Sequence, residues 1–466
     1  MGKNNKLFGE EKIGKLLLKF SIPIIISFLV SELYNMVDTL FVGRNVGGYG
    51  IGGLVLVFPI QRIIIALGLM IAVGSSTAFS RANGENNFEG SRKVVKNGFS
   101  FCCLLMVSIT AIVFIFSEKI LIGLGASEQI LPYAKEYLDI IIFGSTFLTL
   151  TTFISNIMIA VGNNKVSIIS TSIGAIVNII LDYILIVEFK MGVKGAAIAT
   201  AVSQVIGFIY AYYNYSKIKK EYKIPSGFEI DKKIIVPIVL VGLSAFIVES
   251  EDGFLMAVRN HLLVSTAGDT GIVVLGVISK VYMFLFITMF GIASAMQPIA
   301  AFNVGAKNYK RLKTVMQKTT IYAFITSLIM WIGSMIFAPQ LISIFVKEPD
   351  IIAESVKAFR IVVSVLPIAS IYYVSIFYFQ ALGKAKTSIF LSISKQLILT
   401  IPVSIILVKV FNLGAMGVWL GYPISDLLAS IGSYMLIREE GHELNMKIEK
   451  ANANAKAKGT VPFASN

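Results

Sequence analysis

The chain is 466 residues long and says much the same thing twice. The stretch from Gly50-Ile51 to Ala82-Asn83-Gly84 recurs as Gly271-Ile272 to Asn303-Val304-Gly305, and Gly162-Asn163-Asn164-Lys165 recurs as Gly383-Lys384-Ala385-Lys386, in each case 221 positions later. Gly192-Val193-Lys194-Gly195 and Ser203 recur at Gly414-Ala415-Met416-Gly417 and Ser425, 222 positions later, which implies one inserted residue. A half-length repeat in a strongly apolar chain restricts the fold to two copies of one bundle. It is the signature of a transporter whose binding sites lie at or inside the repeat units.

The environment follows from composition. Mean hydropathy is +0.78, and 56% of residues are hydrophobic while only 15% are charged, against roughly 25% charged in soluble domains. Apolar surface on that scale has no place to go but lipid. Stretches of about 20 or more apolar residues number six per half. The first six are Leu16–Val42, Ile51–Ala78, Val94–Phe116, Leu131–Ala160, Val166–Val187 and Ala196–Tyr215. The second six are Ile234–Val264, Ile272–Asn303, Val315–Phe337, Ile351–Ala381, Ile389–Val408 and Met416–Ile437. The expected fold is therefore an all-α polytopic membrane protein of 12 transmembrane helices in two six-helix lobes. Six spans is an even number, so both lobes enter from one side and the pseudo-twofold axis runs along the membrane normal.

The net charge of +14 would point to nucleic acid in a soluble protein, but here the cations occupy every second connection. Lys3, Lys6, Lys12 and Lys15 precede the first span, Arg81, Arg92, Lys93 and Lys96 follow the second, and Lys217–Lys233 joins the halves. Lys307, Lys310, Arg311 and Lys313 follow the eighth span, and Arg438, Lys447 and Lys450 the last. The positive-inside rule then sets both termini in the cytoplasm. The organisation expected is an N-terminal lobe over 1–216, a basic linker over 217–233, a C-terminal lobe over 234–438 and a tail over 439–466, the Ala/Asn/Lys run from Ala451 being disordered. The first span lacks a small-residue cleavage site and is expected to be retained. Cys102 and Cys103 are the only cysteines and adjacent, so they are read as packing residues.

Charged side chains at membrane depth cost several kcal/mol by insertion scales, about 3 for an aspartate, and are functional candidates by default. Asp38 lies in span 1, and Asp182 lies in span 5 four residues after Asn178, on the same helical face. Two carboxylates in a poorly solvated pocket cannot both stay ionised without recruiting a proton or a small cation. Should Asn156 of span 4 and Thr200 of span 6 converge on them, five oxygen-bearing side chains surround one point, a shell that suits a hard cation as well as a proton. The bland reading sets Asp38 near the interface and makes Asn178 and Asp182 helix glue. Glu32 and Arg62 are read as a structural pair.

In the second half the polar residues stand at other positions: Glu249, Ser250, Glu251, Asp252 and Arg259 in span 7, Lys280 in span 8, Arg360 in span 10, Lys395-Gln396 in span 11, and Asp426 in span 12. Glu249, Asp252, Arg259, Lys395 and Asp426 form a secondary polar site, with structural ion pairing, Lys395 to Asp426 in particular, as the competing reading. There is no Gly-x-x-x-x-Gly-Lys-Ser/Thr loop, so no ATPase. The only histidines are His261 and His442, too few for a histidine-based metal centre. No nucleophile–base pair lies within the spans, and an enzyme is not expected.

Taken together, Pro23, Asp38-Thr39-Leu40-Phe41-Val42-Gly43-Arg44, Asn178-Ile179-Ile180-Leu181-Asp182, Gly195-Ala196-Ala197-Ile198-Ala199-Thr200, Gln297-Pro298 with Asn303-Val304-Gly305-Ala306-Lys307, and Lys395-Gln396 with Pro402 resemble the MATE family, the multidrug and toxic compound extrusion transporters, closest to the bacterial multidrug branch. The resemblance extends to about Arg438. It implies two six-helix lobes around a central cavity and export driven by proton or sodium antiport. It also implies that Asp38, Asn156, Asn178, Asp182 and Thr200 form the amino-terminal cation site, where Na+ would be held by Asp38, Asn178 and Asp182, and that Pro23 bends span 1. The family's other site, with acids in spans 7 and 10, carries over poorly, since span 10 has no acid after Glu354. Where the family commonly has Arg before Gln in span 11, this chain has Lys395, which keeps the charge but not bidentate bonding.

The function expected is secondary active multidrug efflux of amphipathic organic cations in exchange for H+ or Na+, with no other cofactor, by a monomer in a bacterial-type inner membrane that binds no nucleic acid. A flippase for a lipid-linked precursor shares the two-lobed build but would need a strongly basic cavity. A receptor or assembly factor would leave the intramembrane carboxylates unexplained.

Overall fold

The computed structural model describes residues 2–457, apart from the side chains of residues 2–5, 251–254, 256, 257, 269 and 454–457. Among the described residues the chain is helical with no strand. After a short helix α1 (Gly2–Glu10) come α2 (Ile13–Asn45), α3 (Gly48–Gly84), α4 (Phe88–Gly123), α5 (Leu131–Ala160), α6 (Lys165–Asp182) and α7 (Gly192–Glu221). The second half comprises α8 (Lys232–Gly305), α9 (Tyr309–Ile336), α10 (Ala338–Ser343), α11 (Pro349–Val362), α12 (Leu366–Leu382), α13 (Ala385–Ile393), α14 (Ile401–Lys409) and α15 (Ala415–Ala457).

Among the described residues ten helical stretches are long and apolar enough to cross a bilayer, α8 contributing two of them, Lys232–Ser250 and Thr270–Gly305. The expected span Ile351–Ala381 is broken rather than continuous: α11 and α12 meet at 53°. Pro367 in the first turn of α12 has no N–H to continue the ladder of α11. Helix α15 covers the twelfth expected span, Met416–Ile437, and runs on to Ala457. Alanine and lysine are strong helix formers, so once the span has nucleated the helix the low-complexity run extends it.

The repeat is visible in the backbone as well as in the letters. Positive φ occurs at Gly47 and Gly268, Asn86 and Lys307, Gly162 and Gly383, each pair 221 apart, and at Lys190 and Asn412, Gly192 and Gly414, each 222 apart. Gly47 (φ 89°, ψ −165°) and Gly268 (φ 59°, ψ −150°) turn the chain between the first two spans of each half in a region open only to glycine. Asn87 accepts from the backbone N–H of Gly90 to start α4, and Asn308 from that of Arg311 to start α9.

Packing groups the chain into two units, one running from Ile26 to Ser250, the other joining Gly2–Ile25 to the chain from Glu251 onward. In the first unit the opening of α8 packs directly on α3: a Cβ on Gly74 would lie 2.0 Å from the Ile238 carbonyl oxygen, and one on Gly242 would lie 1.8 Å from that of Met70. Only glycine permits that approach. Arg92 donates to the carbonyl of Tyr222, and Lys96 pairs with Glu229 at 2.6 Å, so the connection before α8 is held on α4. The second unit does the same with the chain's start. Arg311 and Asn303 both donate to the carbonyl of Phe8, whose buried ring sits 5.6 Å from Phe20 and 5.7 Å from Phe302. Pro23 stands inside α2, next to the point where that helix passes from one unit to the other.

Candidate cation site in the first half

Four of the five residues expected to form the cation site are buried in the first unit. Asn178 and Asp182 are fully enclosed on one face of α6, and Asp38 on α2 and Thr200 on α7 are nearly so. Asn178 Nδ2 donates to Thr200 Oγ1 at 3.2 Å. Asp38 lies close enough to Asp182 for the two charges to act on one another. Asn156 on α5 donates its amide back to the Thr152 carbonyl, 2.9 Å away in its own helix.

Three residues beyond the sequence reading complete the surroundings. The hydroxyl of Tyr137 on α5 donates to Asp38 Oδ2 at 3.4 Å. Tyr34, one turn before Asp38, feels the same carboxylate and lies beside Gln204 of α7. Neither Tyr137 nor Gln204 carries any spacing relation to Asp38, so only the tertiary fold could have named them. Tyr34 stands at i−4 from Asp38, on the same helical face.

The acceptors in this site outnumber the donors. Asp38 Oδ1, Asn178 Oδ1 and both carboxylate oxygens of Asp182 are buried and accept no hydrogen bond from the described residues. Native interiors rarely leave so many oxygens unmet within one cluster. Locally, α6 ends in a π-helical turn over Tyr183–Glu188, beginning at the residue after Asp182. Such a turn releases backbone carbonyls from the regular ladder and is common at functional sites. Among the described residues no three or more His, Cys, Asp or Glu side chains gather into a metal-type cluster. The chemistry available is therefore that of two carboxylates with an amide and a hydroxyl: capture of a proton or of one small hard cation.

The secondary polar residues are divided between the two units. Glu249 lies in the first unit, where Arg62 bridges it at 3.0 Å and Glu32 at 3.3 Å, with the guanidinium 4.8 Å above the Phe58 ring. The Glu32–Arg62 pair expected from sequence is thus a triad. Asp252 falls outside the described side chains. In the second unit Lys395 and Asp426 are buried and paired at 2.8 Å, and Lys395 Nζ also donates to the Tyr373 hydroxyl at 2.7 Å. Its ammonium lies 4.8 Å and 4.6 Å from the ring centres of Tyr372 and Tyr373. Lys395 sits in a second π-helical turn, Ser394–Thr400, whose loosened Lys395 carbonyl is taken by Thr400 Oγ1. Arg259 places its guanidinium 3.7 Å over the ring of Tyr422, which neighbours Tyr282, and Tyr282 feels the charges of Asp426 and Lys395.

A family model described as MatE matches residues 23–184 and 254–406, one block in each half. The chain belongs to the MatE family. Among its relatives are the multidrug export protein MepA of Staphylococcus aureus (strain MSSA476), 24% identical over 441 residues that cover 93% of this chain and 96% of that protein, and MepA of Staphylococcus haemolyticus (strain JCSC1435), 24% identical over 87% of this chain and 89% of that one. The fold agrees with a crystal structure of MATE in the straight conformation, at a TM-score of 0.89 and 25% identity, covering 95% of this chain and 99% of the other. It agrees at 0.88, with 25% identity and the same coverage, with a MOP superfamily transporter from Pyrococcus furiosus for which reverse polarity of the binding pocket suggests a different function. This MatE member is thus a multi-pass membrane protein of the transporter class.

Proposed function

We propose that the protein is a secondary active exporter of amphipathic organic cations, driven by exchange for H+ or Na+ at Asp38, Asn178, Asp182 and Thr200, with Asn156 at the margin. One observation carries the reading. The Asp182 carboxylate is fully enclosed with neither oxygen hydrogen-bonded, and Asp38 is within reach of its charge. An isolated buried carboxylate is costly unless a proton or cation joins it, so the pair loads one and must release it for a cycle to run. That MepA of Staphylococcus aureus is a multidrug export protein supports the cargo class. The loops rich in Lys and Arg support cytoplasmic termini in a bacterial cell membrane, and a monomer is the state proposed because the residues of the coupling site all come from one chain.

The flippase alternative calls for a basic cavity, but Arg62 is engaged by two carboxylates and Lys395 by one. The deciding experiment is dye efflux from proteoliposomes in which pH and sodium gradients are imposed separately. One gradient should drive export by the wild type and neither should do so for Asp182→Asn. Equal efflux from a well-folded Asp182→Asn protein would overturn the coupling site, and efflux indifferent to both gradients would overturn antiport.

A further inference from the structure

The two halves can be compared position by position, because the glycine turns fix the register. Asp38 stands nine residues before Gly47, and Arg259 stands nine before Gly268. Thr200 stands eight residues after Gly192, and Tyr422 eight after Gly414. Where the first half carries a carboxylate and a hydroxyl, the second carries a guanidinium and a phenol ring, and these two are in contact at 3.7 Å. The repeat has kept the place and inverted its charge.

The inverted place has unmet demand of the opposite kind. Arg259 Nε is buried and donates to no acceptor among the described residues, and Arg259 forms no ion pair among them. The acid nearest in kind, Asp426, is taken by Lys395. Among the described residues this polar core therefore holds two cations to one anion. Stacking on Tyr422 uses the face of the guanidinium and leaves its in-plane N–H groups for a planar acceptor. A carboxylate is the group that meets such a fork bidentately. On the same turns of α8, Val258 and Leu262 join Ile405 of α14 in lining an apolar cleft of about 310 Å³, with His261 and Lys409 at its walls. An apolar body would fit there, one residue along the helix from Arg259, and among the described residues the lining adds Lys409 and no carboxylate.

We propose that Arg259, stacked on Tyr422, is a recognition subsite for an anionic group on the cargo, a carboxylate above all, so that the transporter accepts zwitterionic amphiphiles as well as simple cations. This rests on the export reading above. The competing account is a structural arginine whose charge snorkels to the membrane interface.

The test uses a rhodamine dye as two probes of one scaffold, the methyl ester (a cation) and the free acid (a zwitterion). Equilibrium binding to purified protein and efflux from proteoliposomes are measured for wild type, Arg259→Gln and Arg259→Lys. Arg259→Gln should weaken binding of the free acid and raise its KM roughly tenfold, the loss expected when a charge-assisted pair is removed, and should leave the ester unchanged. Arg259→Lys should recover part of the difference, since it keeps the charge but not the fork. Equal losses for both dyes would make Arg259 structural and overturn the subsite. A defect that appears only in liposomes containing anionic lipid, alike for both dyes, would assign the site to a lipid headgroup and overturn it too. Failure of the wild type to export the ester under any ion gradient would instead overturn the export reading, while discrimination between the dyes in the binding assay would still support the subsite.

Discussion

The buried polar centres of the two halves have opposite states of completion. In the first half, Asp38 and Asp182 are enclosed with three carboxylate oxygens unmet. In the second, Lys395 and Asp426 are enclosed and satisfied, the ammonium held by a carboxylate, a tyrosine hydroxyl and two aromatic faces. Each centre lies at a π-helical turn in the fifth span of its half. Duplication has preserved the scaffold and the turn glycines, but the two π-helical turns fall at different places in the repeat, and the residues around them decide whether the buried charges find partners. An incomplete centre can cycle between loaded and empty, and a complete one is a strut.

The comparison makes its boldest claim about transport. Asp38→Asn should abolish gradient-driven efflux, a loss of at least about a hundredfold in rate for removal of an essential proton-transfer group, while expression and thermal stability stay near wild type. A well-expressed Asp38→Asn protein with undiminished efflux would break the assignment of coupling to the first half.

The closed pair should behave in the reverse way. Lys395→Met strands Asp426 in an apolar interior and should destabilise the protein by about 3–5 kcal/mol, whereas Lys395→Met with Asp426→Leu should recover most of it. Thermal unfolding in detergent measures both. Should the double variant fold well yet lose ion coupling, the pair would be part of the machinery rather than a strut, and the contrast between the halves would fail.

A finer probe is Asn178→Ala, which removes the hydrogen bond to Thr200, worth about 1 kcal/mol. The midpoint of the sodium dependence, or the proton concentration at the midpoint of the pH dependence, should move about fivefold with dye binding intact. An unmoved midpoint would detach Asn178 from the site.

The smallest effect concerns a surface clasp outside the spans, where Lys384 binds Glu440 and, at 3.0 Å, Glu443. The hydrogen bond from Lys384 holds Glu443 below its ordinary carboxylate value. Burial alone would lower Lys384, but its bonds to the two acids outweigh that and raise it. The Glu443 contribution is therefore complete above the usual carboxylate pKa and fades as pH falls through the lowered one. The Lys384 contribution is complete below the usual lysine pKa and is lost as pH rises through the raised one. Because Glu443 and Lys384 are both more than a third exposed, Glu443→Gln should cost under about 0.5 kcal/mol at neutral pH and nothing in acid once both forms are protonated. A melting-temperature difference that persisted unchanged at low pH would show that packing, not charge, holds the clasp.

Much of this was legible in the letters. Asp38, Asn178 and Asp182 were found because a charge in an apolar run is its own signal, and an i,i+4 spacing places two side chains on one face. Tyr137 and Gln204 were not, since polar residues inside long helices are common and nothing in their spacing points to Asp38. That Glu249 pairs with Arg62 was missed for a related reason: sequence places Glu249 in the second half, while the close approach of Gly74 and Gly242 to their neighbours' backbones packs that stretch of α8 with the first.

By itself the sequence determined the membrane class, the twelve-span layout, the duplication and the identity of the buried acids, because hydropathy, helical period and repeat offset are local or one-dimensional properties. Only the tertiary structure decided which charges are satisfied. It closed Lys395 on Asp426 and Arg62 on two glutamates, and it left Asp182 and the Nε of Arg259 without partners among the described residues. Whether a buried charge has a partner depends on side chains brought together from distant helices, and no spacing along the chain encodes that.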